Sequence, residues 1–252
     1  VFVMERMLDA AAKELNIDPV EIRRRNLLPP GKYPVSTGII GQDFVEGVID
    51  SGDFPQALEK VTEMIGYEDF IQNVQPKLRA EGILKGIGIC CFTEGTGVGP
   101  YEGAKVTVGG NGKVNVATGV ASQGQAHYTS FAQIAAEQLG VEVKDVKVIT
   151  GDTGHFAWGA GTFASRGATV AGTAIHLASV KVRNKILKLA SKIFEVPEEE
   201  LEIADGVVRV ADIPDKFITL GDLAVRANPM RGVFPPGEEP GLEAVAYYGP
   251  PY

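Results

Sequence analysis

Apolar positions at the start of the chain recur at helical spacing. Val3, Met7, Leu8, Ala11, Ala12 and Leu15 form one stripe, which predicts a helix. Asp18-Pro19 then reads as the N-cap and first residue of a second helix ending near Asn26. The Pro-, Gly- and Ser-rich stretch 29–52 reads as an extended loop or interdomain crossing. A helix is expected after Ser51-Gly52-Asp53, with Phe54, Leu58, Val61 and Ile65 on one face, and another over 67–80. From Gly82 the period shortens to that of strands, expected over 86–92, 105–108 and 113–117. Gly110-Asn111-Gly112 makes a hairpin of the last two. Phe131, Ile134, Ala135 and Leu139 line a helix, and 146–150 is a strand. The longest helix spans 169–194, with Val170, Ala174, Leu177, Ala178, Val182, Ile186, Leu189 and Ile193 inward. A hairpin over 201–210 follows, then a short helix over 219–226, a Pro/Gly loop over 228–241 and a strand over 242–248. This order predicts an α+β fold of mixed sheets with packed helices rather than a regular βαβ alternation.

Two glycine-rich turns, each set beside a helix with a strand between them, stand out from this pattern. The first is Ser122-Gln123-Gly124-Gln125-Ala126-His127-Tyr128-Thr129; the second is Gly159-Ala160-Gly161-Thr162-Phe163-Ala164-Ser165-Arg166-Gly167. Glycine lets a backbone approach a ligand closely, and helix N-termini offer free N–H groups to phosphate. The amides of Gln123 and Gln125 can both donate to and accept from a pterin or nucleobase edge. Neither turn matches the P-loop or the dinucleotide fingerprint, so the bland alternative is a pair of ordinary structural turns.

The 252 residues suffice for one large domain or two smaller ones. Glycine is the compositional outlier at 31 residues, about 12% against a usual ~7%. The net charge of −8, with no long basic run, argues against nucleic acid as the main partner. Cys90 and Cys91 are adjacent and read as core thiols of a reduced cytoplasm. No run of residues is apolar enough for a membrane span. The basic runs Arg23-Arg24-Arg25 and Lys181, Arg183, Lys185, Lys188, Lys192 read as solvated helix faces. Three histidines without ligand spacing point to no metal site.

The segment Gln123-Gly124-Gln125-Ala126-His127-Tyr128-Thr129 with Phe131-Ala132-Gln133-Ile134 resembles a motif of the xanthine dehydrogenase/aldehyde oxidase family. The likeness is to its molybdopterin-binding large subunit, in carbon monoxide dehydrogenase-like and aldehyde oxidoreductase-like members. Glu21-Ile22-Arg23-Arg24-Arg25-Asn26-Leu27, Lys85-Gly86-Ile87-Gly88-Ile89, Gly151-Asp152-Thr153 and Gly161-Thr162-Phe163-Ala164-Ser165-Arg166 fit the family in the same order. The resemblance covers nearly all of the chain.

It implies that both turns hold molybdopterin with molybdenum, as the cytosine dinucleotide in bacteria. Gly124, Gln125, His127 and Thr129 fall to the first turn; Thr162, Ala164, Ser165, Arg166 and Gly167 fall to the second, as backbone and side-chain donors to the pyrophosphate. Two departures are visible: Ala126 stands where the family has a glycine, and Gly167 where it commonly has a serine. The resemblance divides the chain into residues 1–81, within a first cofactor-binding half, and residues 82–252, the second half carrying both turns. It implies a hydroxylase that oxidises an aldehyde, an N-heterocycle or carbon monoxide with water-derived oxygen. The remainder of the molybdenum subunit and partners carrying [2Fe–2S] clusters and FAD complete it. The family's active-site loop and catalytic glutamate are expected outside 1–252, so no catalytic residue is assigned, and Glu94 and Glu102 are read as structural or solvated. The alternative is a non-catalytic cofactor-binding fragment. An unrelated nucleotide-binding α/β enzyme would need a Rossmann fingerprint. The opening Val1-Phe2 and the late last strand are expected of an excised piece.

Overall fold

A computed structural model describes residues 1–41, 44–231 and 239–250. Its contacts divide the chain into two compact units, Val1–Glu94 and Gly95–Tyr252.

In the first unit, α1 (Phe2–Glu14) and α2 (Pro19–Asn26) fall where the pattern places them. Asp18 caps α2 by accepting the N–H groups of Val20 (2.7 Å) and Glu21 (3.2 Å). The stripe expected of α1 is only partly buried: Ala12 is enclosed, whereas Val3, Met7 and Leu15 are exposed. A buried ion pair locks the two helices instead. Arg23, 1% exposed, donates to Glu5 Oε2 (2.9 Å), Asp9 Oδ1 (2.9 Å) and the Pro19 carbonyl (2.8 Å). Burial opposes its charge, and the Glu5 and Asp9 carboxylates outweigh that and raise its pKa. Arg23 is thus the exception to the expected solvated face, while Arg24 and Arg25 are exposed and share Glu21.

The expected loop over 29–52 contains an antiparallel ribbon, β1 (Val35–Ile40) with β2 (Glu46–Ile49). Its residues Gln42 and Asp43 lie outside the described ones. Then α3 (Phe54–Met64) starts at Asp53, which accepts the Gln56 N–H at 2.9 Å. The next helix, α4 (Tyr67–Asp69), continues through a π-helical stretch, Phe70–Val74, into α5 (Gln75–Ala80). Tyr67 donates to Asp18 Oδ2 (3.0 Å), and burial, aided by that carboxylate, pushes its pKa up to about 12. Among the described residues, the strand expected over 86–92 belongs to no sheet. Ile87, Ile89 and Cys91 are half-buried and alternate with exposed neighbours, so its period is that of a strand without a partner.

The second unit is built on a four-stranded sheet in the order β5-β4-β3-β9. Strands β3 (Glu102–Val108) and β4 (Val114–Thr118) form the expected hairpin, with Gly112 taking φ +75°. Residues Glu243–Tyr248 form β9 and pair antiparallel with β3. From β4 the chain crosses through α6 (His127–Leu139) to β5 (Val146–Thr150), which lies parallel to β4 with Thr118 opposite Thr150. A π-helical turn, Gly167–Gly172, leads into α7 (Thr173–Phe194).

Phe131, Ala135 and Leu139 of α6 and Ala174, Ile175, Ala178, Val182 and Ile186 of α7 are buried with Val106, Val114 and Val116 of the sheet. Leu177, expected inward, is 37% exposed, and Ile175 is buried. A three-stranded antiparallel sheet, β6 (Leu201–Ala204), β7 (Val207–Val210) and β8 (Ile213–Thr219), adds a strand the pattern did not mark. Thr219 caps α8 (Leu220–Arg226). The basic face of α7 is not simply solvated. Lys181 donates to the Val245 carbonyl (3.0 Å), Lys185 to that of Glu243 (2.8 Å) and Arg183 to that of Gln138 (3.2 Å). Of the loop expected over 228–241, residues 232–238 lie outside the described ones. Among the described residues no helix is long and apolar enough to cross a membrane. Mixed sheets and packed helices make the fold α+β, as the pattern predicts.

Candidate cofactor site

The parallel pair β4 and β5 decides where the site lies. Both strands end at the same edge, Thr118 opposite Thr150, and each runs into one of the glycine turns. The carboxyl ends of adjacent parallel strands are where open α/β sheets place ligands. The turns then meet through their main chains. A side chain on Gly119 would land on the Trp158 carbonyl, and one on Gly159 would come within 2.6 Å of Gly119 Cα. Polar contacts close the junction: Thr162 Oγ1 donates to the Ala121 carbonyl (2.5 Å) and Gln123 Nε2 to the Thr162 carbonyl (3.1 Å).

Within the first turn, Gly124 takes φ +105° and has nothing within 4 Å of where a side chain would start. Gln125 is exposed, and its Oε1 accepts the Gln123 N–H at 2.6 Å. Ala126 heads α6 in the left-handed region, φ +63°, the conformation that a glycine would adopt more cheaply. It gives the helix no side-chain cap, and Thr129 is exposed on the first helical turn. His127 is buried, 4% exposed, with its ring stacked on Phe131 at 4.6 Å. Burial lowers its pKa, partly offset by the Ala121 backbone, so the ring is neutral at pH 7.

In the second turn Gly161 is open to the outside at φ +114°. Ala164 and Ser165 follow at φ +44° and +51°, two successive non-glycine residues in the left-handed region. The Gly97 N–H braces them by bonding the Ala164 carbonyl at 3.2 Å. Arg166 is wholly buried. Its Nε donates to the Val98 carbonyl (3.1 Å), one terminal nitrogen to the Gly161 carbonyl (2.9 Å) and Glu102, and the other to the Pro100 carbonyl. Those contacts turn the guanidinium inward, and the Arg166 N–H is itself spent on the Phe163 carbonyl at 3.1 Å. Gly167 is buried, and a side chain there would collide with His127 Nε2. The π-helical turn it opens also lacks a side-chain cap.

The structure therefore gathers all nine sequence-marked residues into two cross-braced turns with two uncapped helix starts. Three supports were not marked by the sequence: the 97–100 loop, the Gly119–Gly159 contact and the closure of Glu102 on Arg166. A buried carboxylate and arginine far apart in sequence carry no local signal. The turns fit a phosphate-bearing ligand, because uncapped N–H groups, the positive dipole end and glycine openings coincide.

These features define an α+β fold whose two glycine-rich turns meet at the ends of parallel strands. Residues 60–252 match the family described as the molybdopterin cofactor-binding domain, and the chain belongs to that family. It is 33% identical to the carbon monoxide dehydrogenase large chain of Afipia carboxidovorans and 36% identical to that of Hydrogenophaga pseudoflava. Each match covers 100% of this chain and 32% of the relative. Quinoline 2-oxidoreductase from Pseudomonas putida 86 superimposes with a TM-score of 0.75 at 35% identity, over 98% of this chain and 32% of that one. The chain thus spans about a third of the length of these relatives.

Proposed function

We propose that this chain is the pyrophosphate- and pterin-holding part of a molybdenum hydroxylase large subunit. The observation that carries the reading is the pair of uncapped helix starts at the ends of β4 and β5, cross-braced so that one extended anionic ligand can touch both. Gly124 and Gln125 would meet the pterin side, with Thr129 at the first helix start. The main-chain N–H groups of Ala164, Ser165 and Gly167 would donate to the phosphates, Arg166 would hold the turn that presents them, its own N–H bonding the Phe163 carbonyl, and Thr162 would tie the turns together. His127 would fill the space under both turns as a neutral ring, adding no charge to a site that must accept anions.

Bound there, the cofactor would supply oxygen-atom and two-electron chemistry that no side chain of this chain provides. The dinucleotide form with cytosine, partners carrying [2Fe–2S] clusters and FAD, and a cytoplasmic setting belong to the same proposal. So do the substrate classes, a small aldehyde, N-heterocycle or carbon monoxide, and the division of the chain into two cofactor-binding halves. The names of the relatives, carbon monoxide dehydrogenase and quinoline 2-oxidoreductase, support an oxidoreductase of that kind. The second reading, a binding piece that needs other segments for turnover, is favoured by the state of Glu102, which touches the second turn but is sealed inside.

Molybdenum and pterin analysis of the native complex, beside the chain expressed alone, tests the proposal. About one molybdenum per complex with a released cytosine nucleotide is the expected result. A complex free of both would end the cofactor reading and leave two structural turns.

A further inference from the structure

Glu102 is a wholly buried carboxylate at the start of β3, used neither by the apolar core nor by the cofactor contacts above. Its Oε1 accepts the N–H groups of Ala160 (3.0 Å) and Gly161 (3.2 Å) and pairs with Arg166. Two successive backbone N–H groups converging on one oxygen form the kind of concavity that binds anions. Here the anion is the protein's own side chain.

Burying such a charge is costly unless it is paired, and Arg166 supplies the pairing. Because Arg166 also holds the carbonyl of Gly161, that residue is fixed at both its N–H and its C=O. The segment 162–165 is therefore pinned at either end, by Gly161 and by Arg166. Within it lie Ala164 and Ser165, whose left-handed conformations persist only where the surroundings impose them.

We propose that Glu102 is the positioning residue of the second turn. Its carboxylate removes the Ala160 and Gly161 amides from ligand contact. With Arg166 it fixes Ala164 to Gly167 as the half of the turn that meets a phosphate group. The part concerning the ligand rests on the cofactor reading; the occupation of the two amides by Glu102 does not.

The test is amide hydrogen exchange at residue resolution on the complete molybdenum subunit in its complex, loaded and stripped of cofactor. Ala160 and Gly161 are expected to be equally protected in both states, while the amides of Ser165 and Gly167 gain protection only on loading. Fast exchange of Ala160 and Gly161 in the stripped state, slowed by loading, would assign those amides to the cofactor and overturn the proposal.

A double variant, Glu102→Leu with Arg166→Met, replaces the ion pair by apolar groups and so leaves neither charge buried alone. It should melt below the wild type, because the Ala160 and Gly161 amides and the carbonyls held by Arg166 lose their partners, and in the folded state it should lose protection at Ala160 and Gly161 and release cofactor about tenfold faster. A folded double variant that keeps that protection and the wild-type release rate would also overturn it. Were no cofactor found in any preparation, the Ala160 and Gly161 amides of wild type and double variant would still decide the role of Glu102.

Discussion

At Gly167 a hydrogen atom stands where any side chain would strike His127 Nε2. Gly167 is thus tied to the ring packed beside it, and the two residues are coupled. Gly167→Ala is expected to destabilise the protein by about 1–3 kcal/mol, the usual cost of overpacking. Adding His127→Ala should recover part of that loss, because contacting residues are not additive. Urea melts of the two single variants and the double variant measure this; strict additivity would contradict the packing described. The neighbouring Ala126, Ala164 and Ser165 show what a sequence hides at this scale. Glycine announces a positive φ, whereas these three adopt it with no signal in their identity.

At the scale of elements, legibility followed locality. Helices α1, α2, α3, α6 and α8 and strands β4 and β5 lie within a few residues of their expected places, because caps and periods are local properties. The ribbon β1–β2 and strand β8 escaped notice because their exposed faces carry little alternation. Residues 86–92 do carry alternation yet join no ladder, since pairing depends on what lies alongside. Arg23 shows the same limit for charge: its neighbours Arg24 and Arg25 are exposed, but its own partners Glu5 and Asp9 sit on another helix. Arg23→Ala should cost about 3–5 kcal/mol by leaving the buried Glu5 carboxylate without its cation, whereas Arg24→Ala should change stability by less than about 1 kcal/mol. Chemical denaturation separates the two, and equal losses would refute the distinction.

Across the whole molecule, both turns of the candidate site were legible from glycine spacing beside helix patterns, and their convergence was not. Convergence depends on the parallel pairing of β4 with β5, which brings the stretches after Thr118 and Thr150 together. The same convergence encloses His127, and so gives overall stability a pH dependence. A histidine whose folded pKa is depressed contributes stability that is complete above its unfolded value, ~6.5, and is lost as pH falls toward the folded value. The melting temperature should therefore fall as pH drops below about 6.5, and a His127→Gln variant should show a shallower fall over that window. Parallel curves for the two proteins would exclude His127 as the source.

The contact between Gly119 and Gly159 bears on how variation in related sequences is to be interpreted. Each glycine makes space for the other's main chain, and the Trp158 carbonyl fills what remains. Substitution at either position is barred by geometry alone, before any ligand is considered. Evolution should hold both residues fixed as strictly as those that touch a phosphate. A count of invariant positions would then enrol Gly119 and Gly159 in the binding site, although their task is to bring its two halves together.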